Sequence, residues 1–187
     1  MPFIRKFVHL QEICSIATVT EDNNAITKAD SMKELKIVAY DDKRHHEGFK
    51  KINEQWIGEL FSIEPLDVYE ISHPMENIID KGGHIYIAEY GDEVVGSFGM
   101  MRSKNPKYDF EMVKFAVNPK MRGFGIGKKL MERCLAKAHE VGAKALFLEG
   151  NTRCQSANHL YAKYGFEEIP IESAEFARCD LQMVKYL

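Results

Sequence analysis

The sequence of 187 residues predicts a mixed α/β fold. Amphipathic helical stretches come first, a β-hairpin follows, and a strand–helix–strand–helix run ends the chain, an order typical of mixed α/β proteins. The length suits one domain with a substantial core rather than two. A composition of 45% hydrophobic and 28% charged residues excludes wholesale disorder.

The beginning of the chain differs from the remainder. Residues 1–34 are patchily apolar and end in the polar, turn-like stretch TEDNNAITKADSMKE, whereas LKIVAY from Leu35 suits a buried strand. We therefore divide the chain into a peripheral N-terminal extension, residues 1–34, and a domain, residues 35–187. Met32 also suits a natural start, so an upstream-start artefact for residues 1–31 stays open. We expect no secretory signal, because polar side chains interrupt the apolar stretch after Met1.

In the first half of the domain, the sequence predicts three helical stretches and a hairpin. FKKINEQWIGELF, residues 49–61, places its apolar side chains at helical spacing. Pro65 begins a second helical stretch that reaches about Ser72, and Pro74 begins a third that ends near Gly82. HIYIAEYGDEVVGSFGMM, residues 84–101, is typical of two strands joined by a tight turn.

In the second half of the domain, the sequence predicts alternating strands and helices. The strand YDFEMVKFAV ends before Pro119, and a helix follows from about Gly125 to Val141 with apolar residues along one face. ALFLE, residues 145–149, is a strand, SANHLYAKYGF is a short helix ended by Gly165, and CDLQMVKYL forms the last strand.

Charge and cysteine content exclude several classes of function. A net charge of −3 lacks the broad basic footprint of a nucleic-acid-binding protein, and no apolar run approaches the roughly 18 residues of a membrane span. The four cysteines are widely spaced without a C-x-x-C pair, which favours free thiols in a reducing cytoplasm over disulfides or zinc. We therefore expect a cytoplasmic protein with no metal and with no nucleic-acid or membrane partner.

The most informative stretch is VNPKMRGFGIGKKLM, residues 117–131, where a strand leads through a glycine-rich loop into a helix. Glycines let a ligand approach the backbone closely, and a helix N-terminus presents unpaired N–H groups to an anion. This loop is therefore expected to hold a phosphate or pyrophosphate, with a ligand-free glycine turn as the alternative. A P-loop is excluded because Lys128 precedes Lys129 rather than Ser or Thr, and a dinucleotide loop would lie earlier in the chain.

These residues resemble the GNAT superfamily of N-acetyltransferases, specifically bacterial-type members of undefined substrate. Three residues fill its hallmark R/Q-x-x-G-x-G/A: Arg122, Gly125 and Gly127. The family's valine-x-proline precedes them at Val117, and its element L-Y-x-K-x-G-F stands at residues 160–166, beyond the strand ALFLE. The resemblance extends from Leu35 to Leu187. It implies a mixed, mostly antiparallel central sheet with helices on both faces.

The resemblance also implies a site for acetyl-CoA as co-substrate. Backbone amides of the loop would hold the pyrophosphate, and the end of the preceding strand would pair with the pantetheine arm. The residues assigned to the cofactor are Phe115, Ala116, Val117, Arg122, Gly123, Phe124, Gly125, Ile126, Gly127 and Lys128. Many relatives carry a cofactor-contacting asparagine where this chain has Cys154, so Asn151 and Asn158 are candidate substitutes.

Two residues are candidates for proton transfer. Glu111 is the candidate general base, because it is expected to alternate along its strand with Val113, Phe115 and Val117 as the one carboxylate on an otherwise apolar face. The alternative is a strand-end carboxylate bound to water or a cation. Tyr161 matches the family tyrosine near the CoA sulfur, and a phenol can protonate a thiolate.

The resulting hypothesis is transfer of an acetyl group from acetyl-CoA to a primary amine of a small molecule, by direct attack in a ternary complex. The stretch before the hairpin would border the acceptor, although for each of its residues taken singly core packing or a solvated helix start is the preferred explanation. These residues are Trp56, Phe61, Glu64, Asp67 and Tyr69. Protein lysine or N-terminal acetylation and a non-catalytic acyl-CoA sensor are the alternatives, and a homodimer stays open.

Overall fold

The computed structural model describes residues 34–187, and the predicted extension lies outside them apart from Glu34. In this part of the chain seven strands form one sheet in the order β1-β2-β3-β4-β5-β7-β6. Every neighbouring pair is antiparallel except β4 and β5, which are parallel. The strands are β1 Leu35–Ala39, β2 His84–Tyr90, β3 Glu93–Arg102, β4 Phe110–Val117, β5 Ala145–Gly150, β6 Glu167–Ile169 and β7 Leu181–Tyr186.

Helices cover both faces of this sheet. They are α1 Asp42–Leu60, α2 Pro65–Ser72, α3 Ile126–Glu140 and α4 Gln155–Lys163. Side chains of α3 and α4 pack with Phe98, Met100 and Met112 in the larger core, whereas Phe49 of α1 packs with Ile85 and Ile87 on the opposite face. The predicted mixed, mostly antiparallel sheet with helices on both faces is therefore confirmed.

The predicted elements differ from the structure in three places. Helix α1 begins at Asp42, seven residues before the predicted helical stretch. The third helical stretch is a single π-helical turn, Met75–Ile79, because Pro74 begins it and Gly82 with a positive φ ends the segment soon afterwards. The short strand β6 was not predicted, since Glu167–Ile169 is only three residues long and partly polar. None of the helices among residues 34–187 combines the length and hydrophobicity of a membrane span.

A β-bulge interrupts β4 at Lys114. Val113 pairs with Gly99 and Ala116 with Ser97, so Lys114 and Phe115 together lie opposite one residue of β3. Lys114 has φ 52°, a left-handed conformation that costs a side-chain-bearing residue about 1–2 kcal/mol. A hydrogen bond offsets this cost, because the Ser97 hydroxyl donates to the Lys114 carbonyl at 3.0 Å.

Because of this bulge, the side chains of β4 do not alternate between the two faces of the sheet as the sequence predicts. Glu111 and Val113 share the face that α1 covers, but the extra residue moves Phe115 and Val117 to the face that α3 covers. The prediction that all four residues share one face is therefore wrong beyond Val113. A regular alternation of period two does not survive an inserted residue.

The sheet opens between β4 and β5. Only Phe110 with Leu146 and Glu111 with Phe147 are paired, and beyond them β4 keeps its contact with β3 while β5 continues with β7. Residues 115–117 of β4 and the end of β5 are therefore not paired with each other. This opening lies beside the loop that leads into α3.

Candidate functional site

A cradle of backbone amides begins α3. Gly123 and Gly125 adopt φ of 88° and 76°, and no atom lies within 4 Å of a Cβ built on either, so both face open space. The first helical hydrogen bond is donated by Lys129 N–H to the Gly125 carbonyl. Within residues 34–187 no acceptor receives the N–H groups of residues 123–128. Six consecutive free donors at a helix N-terminus suit an anionic group such as a pyrophosphate.

The side chains of this cradle have different surroundings. Ile126 is 1% exposed and anchors the helix in the core, whereas Phe124 is 56% exposed. Arg122 donates to Glu59 of α1 at 2.8 Å, and Lys128 lies 3.8 Å from Glu132. The loop therefore offers an anion its backbone donors first, with Arg122 held beside it by α1 and Lys128 exposed at the rim.

The end of β4 borders the opening in the sheet. Ala116 and Val117 use their inner edge to pair with β3, which leaves their other edge facing the gap towards β5. The ring of Phe115 contacts the ring of Tyr161 edge to face, with centroids 5.8 Å apart. An extended ligand can add to such an unpaired strand edge through backbone hydrogen bonds.

Tyr161 lies on the other side of that gap. It is 8% exposed and packs between Phe115 and Phe166. Among the described residues nothing hydrogen-bonds its hydroxyl group. Burial raises the pKa of Tyr161, with a smaller contribution from Cys154 and Cys134, so the phenol keeps its proton at neutral pH.

The two candidate asparagines are not equivalent. Asn151 is committed to its loop, because its amide donates to the Arg178 carbonyl at 2.6 Å and its oxygen accepts from Arg153 N–H at 2.8 Å. Asn158 donates to the Asn151 carbonyl, but its Oδ1 is buried without any hydrogen-bond partner among residues 34–187. A buried oxygen without a donor is costly, which favours Asn158 as the residue that accepts from a bound ligand.

Cys154, at the position of the family asparagine, has a half-buried side chain. Burial raises its pKa, which keeps the sulfur protonated and poorly nucleophilic. Its backbone instead begins α4, since Cys154 is the N-cap residue and its carbonyl accepts from Asn158 N–H.

Glu111 lies at the start of β4, where the sheet is still closed. It is 8% exposed, and among the described residues it makes neither a hydrogen bond nor an ion pair. Burial first, and then the negative charges of neighbouring glutamates, raise the pKa of Glu111 to about 8. Those neighbours are Glu175, Glu149 and Glu70. A buried carboxylate with a pKa in this range suits general base catalysis near neutral pH.

The acidic residues of α2 hold the loop between β6 and β7. The Arg178 guanidinium donates to both oxygens of Asp67 at 2.6 and 2.7 Å and to Glu64 at 2.9 Å. Asp67 is completely buried, so neither a free acceptor ligand nor a solvated helix start describes it. No sequence pattern indicates the role of Arg178, because its partners lie more than 100 positions earlier in the chain.

Lys114 is the other residue that pattern reasoning missed. Its ammonium lies 2.7 Å from Glu70 and 3.5 Å from Asp67, both on α2. Lys114 is only 8% exposed. A single lysine within a strand sequence does not indicate that its side chain is buried. The left-handed backbone at Lys114 explains why its side chain reaches α2.

Comparisons with known proteins place these features in a family. The family model described as "Acetyltransferase (GNAT) domain" matches residues 81–168. The uncharacterized N-acetyltransferase YjgM of Escherichia coli is 30% identical over 127 residues, which are 64% of this chain and 76% of that protein. YvbK of Bacillus subtilis is 29% identical over 126 residues, covering 65% and 79%. A GNAT-family acetyltransferase structure from Staphylococcus aureus covers 82% of this chain and 99% of its own at 20% identity, with a TM-score of 0.72.

Proposed function

The chain belongs to the GNAT superfamily of N-acetyltransferases, and from this we propose that it transfers the acetyl group of acetyl-CoA to a primary amine of a small molecule. The observation that carries the proposal is the row of free amides at residues 123–128 beside the opening between β4 and β5. An anion-binding cradle next to an unpaired strand edge suits a ligand with a pyrophosphate at one end and an amide-containing arm at the other.

Different residues of the chain would bind different parts of acetyl-CoA. The amides of residues 123–128 would bind the pyrophosphate, and residues 115–117 would pair with the pantetheine arm. The buried Oδ1 of Asn158 would accept from an amide N–H of that arm, which supplies the donor it lacks. When bound, acetyl-CoA supplies an acetyl group activated as a thioester.

Two side chains would manage the protons. Glu111 removes a proton from the acceptor's ammonium, directly or through one water, so that a neutral amine attacks the thioester carbonyl. A nitrogen–carbon bond forms as the carbon–sulfur bond breaks, and the Tyr161 hydroxyl gives its proton to the departing thiolate. Glu111 lies on the face that α1 covers and Tyr161 on the face that α3 covers, so the acceptor amine and the thioester would meet at the gap between β4 and β5.

Ion pairs between the loops and α2 on the face that carries Glu111 favour a small acceptor. Arg178 joins the loop after β6 to α2, while Lys104 and Lys107 in the loop after β3 pair with Glu175 and Glu172 at 2.7 and 2.6 Å. Such contacts tie the loop between β6 and β7 to α2 and to the loop after β3. An extended protein segment would need a more open groove.

A thiol-release assay tests the proposed function. Purified protein is mixed with acetyl-CoA and a panel of primary amines, and free thiol is measured over time. We expect thiol release that depends on both acetyl-CoA and an amine. Binding of acetyl-CoA without thiol release from any amine would instead support the acyl-CoA sensor, and failure to bind acetyl-CoA would contradict the proposal as a whole.

The Gly125→Ala variant tests the amide cradle. Gly125 has φ 76°, so alanine is strained there by about 1–2 kcal/mol, and relaxing that strain turns the neighbouring N–H groups away from a common point. We expect acetyl-CoA affinity to fall about tenfold by isothermal titration calorimetry. Gly142→Ala is the matched control, because Gly142 has φ 67° and equally open surroundings at the other end of α3. An equal loss of affinity in both variants would assign the effect to general strain.

A further inference from the structure

A cleft of about 690 Å³ lies at the end of α1, between the residues that follow this helix, the loop after β5 and the loop between β6 and β7. Its volume falls within the range of about 300–1,000 Å³ that is usual for small-molecule sites. Phe61 and Glu64, which line the cleft, belong to the stretch expected to border the acceptor. The charges of the cleft therefore bear on the kind of acceptor it would take.

The described part of the chain contributes two carboxylates to this cleft, and both are already paired. Glu59 accepts from Arg122 at 2.8 Å, and Glu64 accepts from Arg178 at 2.9 Å. The second oxygen of Glu64 accepts from the Ala177 N–H at 3.2 Å. Each acidic side chain of the cleft thus has a cationic partner of its own.

Arg153 is a cation of the cleft without such a partner. Its guanidinium lies over the ring of Phe61, 5.0 Å from the centroid, and within residues 34–187 it makes neither a hydrogen bond nor an ion pair. Arg178 lies over the same ring at 5.9 Å but already pairs with Asp67. The cleft therefore presents one guanidinium that is held against a ring and is free to bind an anion. A planar guanidinium matches a carboxylate through two parallel hydrogen bonds.

The cleft lies beside the segments that carry the two candidates for proton transfer. Arg153 directly precedes Cys154, the N-cap residue of α4, and Tyr161 lies in that helix. Burial raises the pKa of the Cys154 thiol, and the charges of Arg153 and Arg178 oppose this shift, which agrees with their closeness. Arg178 also pairs with α2 on the sheet face that carries Glu111. An acceptor in the cleft would thus lie between the segments that hold the base and the acid.

We propose that the acceptor is an amino acid whose carboxylate pairs with the Arg153 guanidinium, a conclusion that rests on the proposed function. The carbon skeleton between its two charged groups lies against the ring of Phe61. The ammonium gives one proton to Glu111, and the resulting amine forms the nitrogen–carbon bond as the carbon–sulfur bond of acetyl-CoA breaks. Tyr161 protonates the departing thiolate. The carboxylate is unchanged by the reaction, so it contributes binding and specificity alone.

Matched pairs of acceptors test the charge requirement. Alanine, leucine, phenylalanine and 4-aminobutanoate are each compared with the corresponding carboxamide, which keeps the shape and lacks the negative charge. We expect kcat/KM to be about tenfold to a hundredfold higher for the acid than for its carboxamide in at least one pair. Equal or higher values for the carboxamide in every pair, or turnover only of amines without a carboxylate, would overturn the proposal while leaving N-acetyltransfer intact.

The Arg153→Gln variant assigns the preference to a residue. It removes the positive charge, so the ratio of acid to carboxamide kcat/KM is expected to fall about tenfold or more. Arg102→Gln is the matched control, because Arg102 is likewise exposed and lies over a phenylalanine ring, 4.2 Å from the centroid of Phe110, but does not line the cleft. It should keep the wild-type ratio. An unchanged ratio in Arg153→Gln would contradict the assignment, and a loss of acetyl-CoA affinity with that unchanged ratio would assign Arg153 to a phosphate of the co-substrate.

A binding measurement separates this inference from the proposed function. The same four amino acids are titrated calorimetrically into the protein saturated with coenzyme A, a readout that requires no turnover. Binding that Arg153→Gln weakens about tenfold and Arg102→Gln does not would support the carboxylate site even if no amine releases thiol. Absence of binding by all four amino acids would overturn the inference whether or not other amines are acetylated.

Discussion

Glu111→Gln is expected to lower kcat/KM by about 10²- to 10⁴-fold, because the amide cannot accept the proton of the acceptor's ammonium. The substitution preserves the size of the side chain, and no described residue donates to the carboxylate that it replaces. Acetyl-CoA binding should therefore survive. Steady-state kinetics with the preferred amine and calorimetry with acetyl-CoA measure the two effects, and Glu168→Gln serves as the control for charge removal.

The pH dependence of the same variant gives a second readout. Since the pKa of Glu111 is raised to about 8, the carboxylate form required of a base is scarce below that pH. The wild-type kcat/KM is expected to rise with pH, about tenfold per unit, and to level off above about 8. In Glu111→Gln this rise should be lost. A mutant that keeps wild-type activity and pH profile would show that Glu111 is not the base.

The free energy of unfolding should change with pH in the direction opposite to kcat/KM. The raised pKa means that the folded chain holds the Glu111 proton between the ordinary glutamate value and about 8, whereas the unfolded chain has released it. The free energy of unfolding therefore falls as pH rises through this window. Glu111→Gln should lack this decline, and denaturant unfolding at several pH values measures it.

Tyr161→Phe is expected to lower kcat by about 10²-fold with little change in acetyl-CoA affinity, because the thiolate then leaves without its proton donor. Phenylalanine keeps the ring contacts with Phe115 and Phe166, and nothing among residues 34–187 hydrogen-bonds the lost hydroxyl group. The melting temperature should therefore not fall. Rapid-mixing and steady-state measurements of thiol release determine kcat.

Tyr164→Phe is the matched control for this prediction. Its hydroxyl donates to Glu132 at 3.0 Å on the surface of the same helical end, away from the gap between β4 and β5. It should keep the wild-type kcat. Acyl donors with a more acidic leaving thiol need less protonation, so they should narrow the difference between Tyr161→Phe and wild type. An equal kcat for Tyr161→Phe and wild type with acetyl-CoA would exclude Tyr161 as the acid.

Local patterns determined most of the architecture. The helical spacing of apolar residues in α1 and α3, the hairpin around Gly91 and the glycine-rich entry into α3 depend on contacts between near neighbours in the chain. Such features are written in residue order, so the element order, the mixed sheet and the anion cradle could be predicted. The family motifs at Arg122 and at residues 160–166 led to the GNAT superfamily in the same way.

Long-range packing decided the surroundings of the candidate site. The bulge at Lys114 shifts the faces of β4, and Arg178 meets Asp67 from a loop more than 100 positions away. Burial of Glu111 among other glutamates likewise depends on α2, β5 and the loop after β6 coming together. The sequence by itself determined the fold class and the candidate groups for binding and proton transfer. Only the tertiary structure decided which charges are compensated, because ion pairing and desolvation depend on distances in space and not on spacing along the chain.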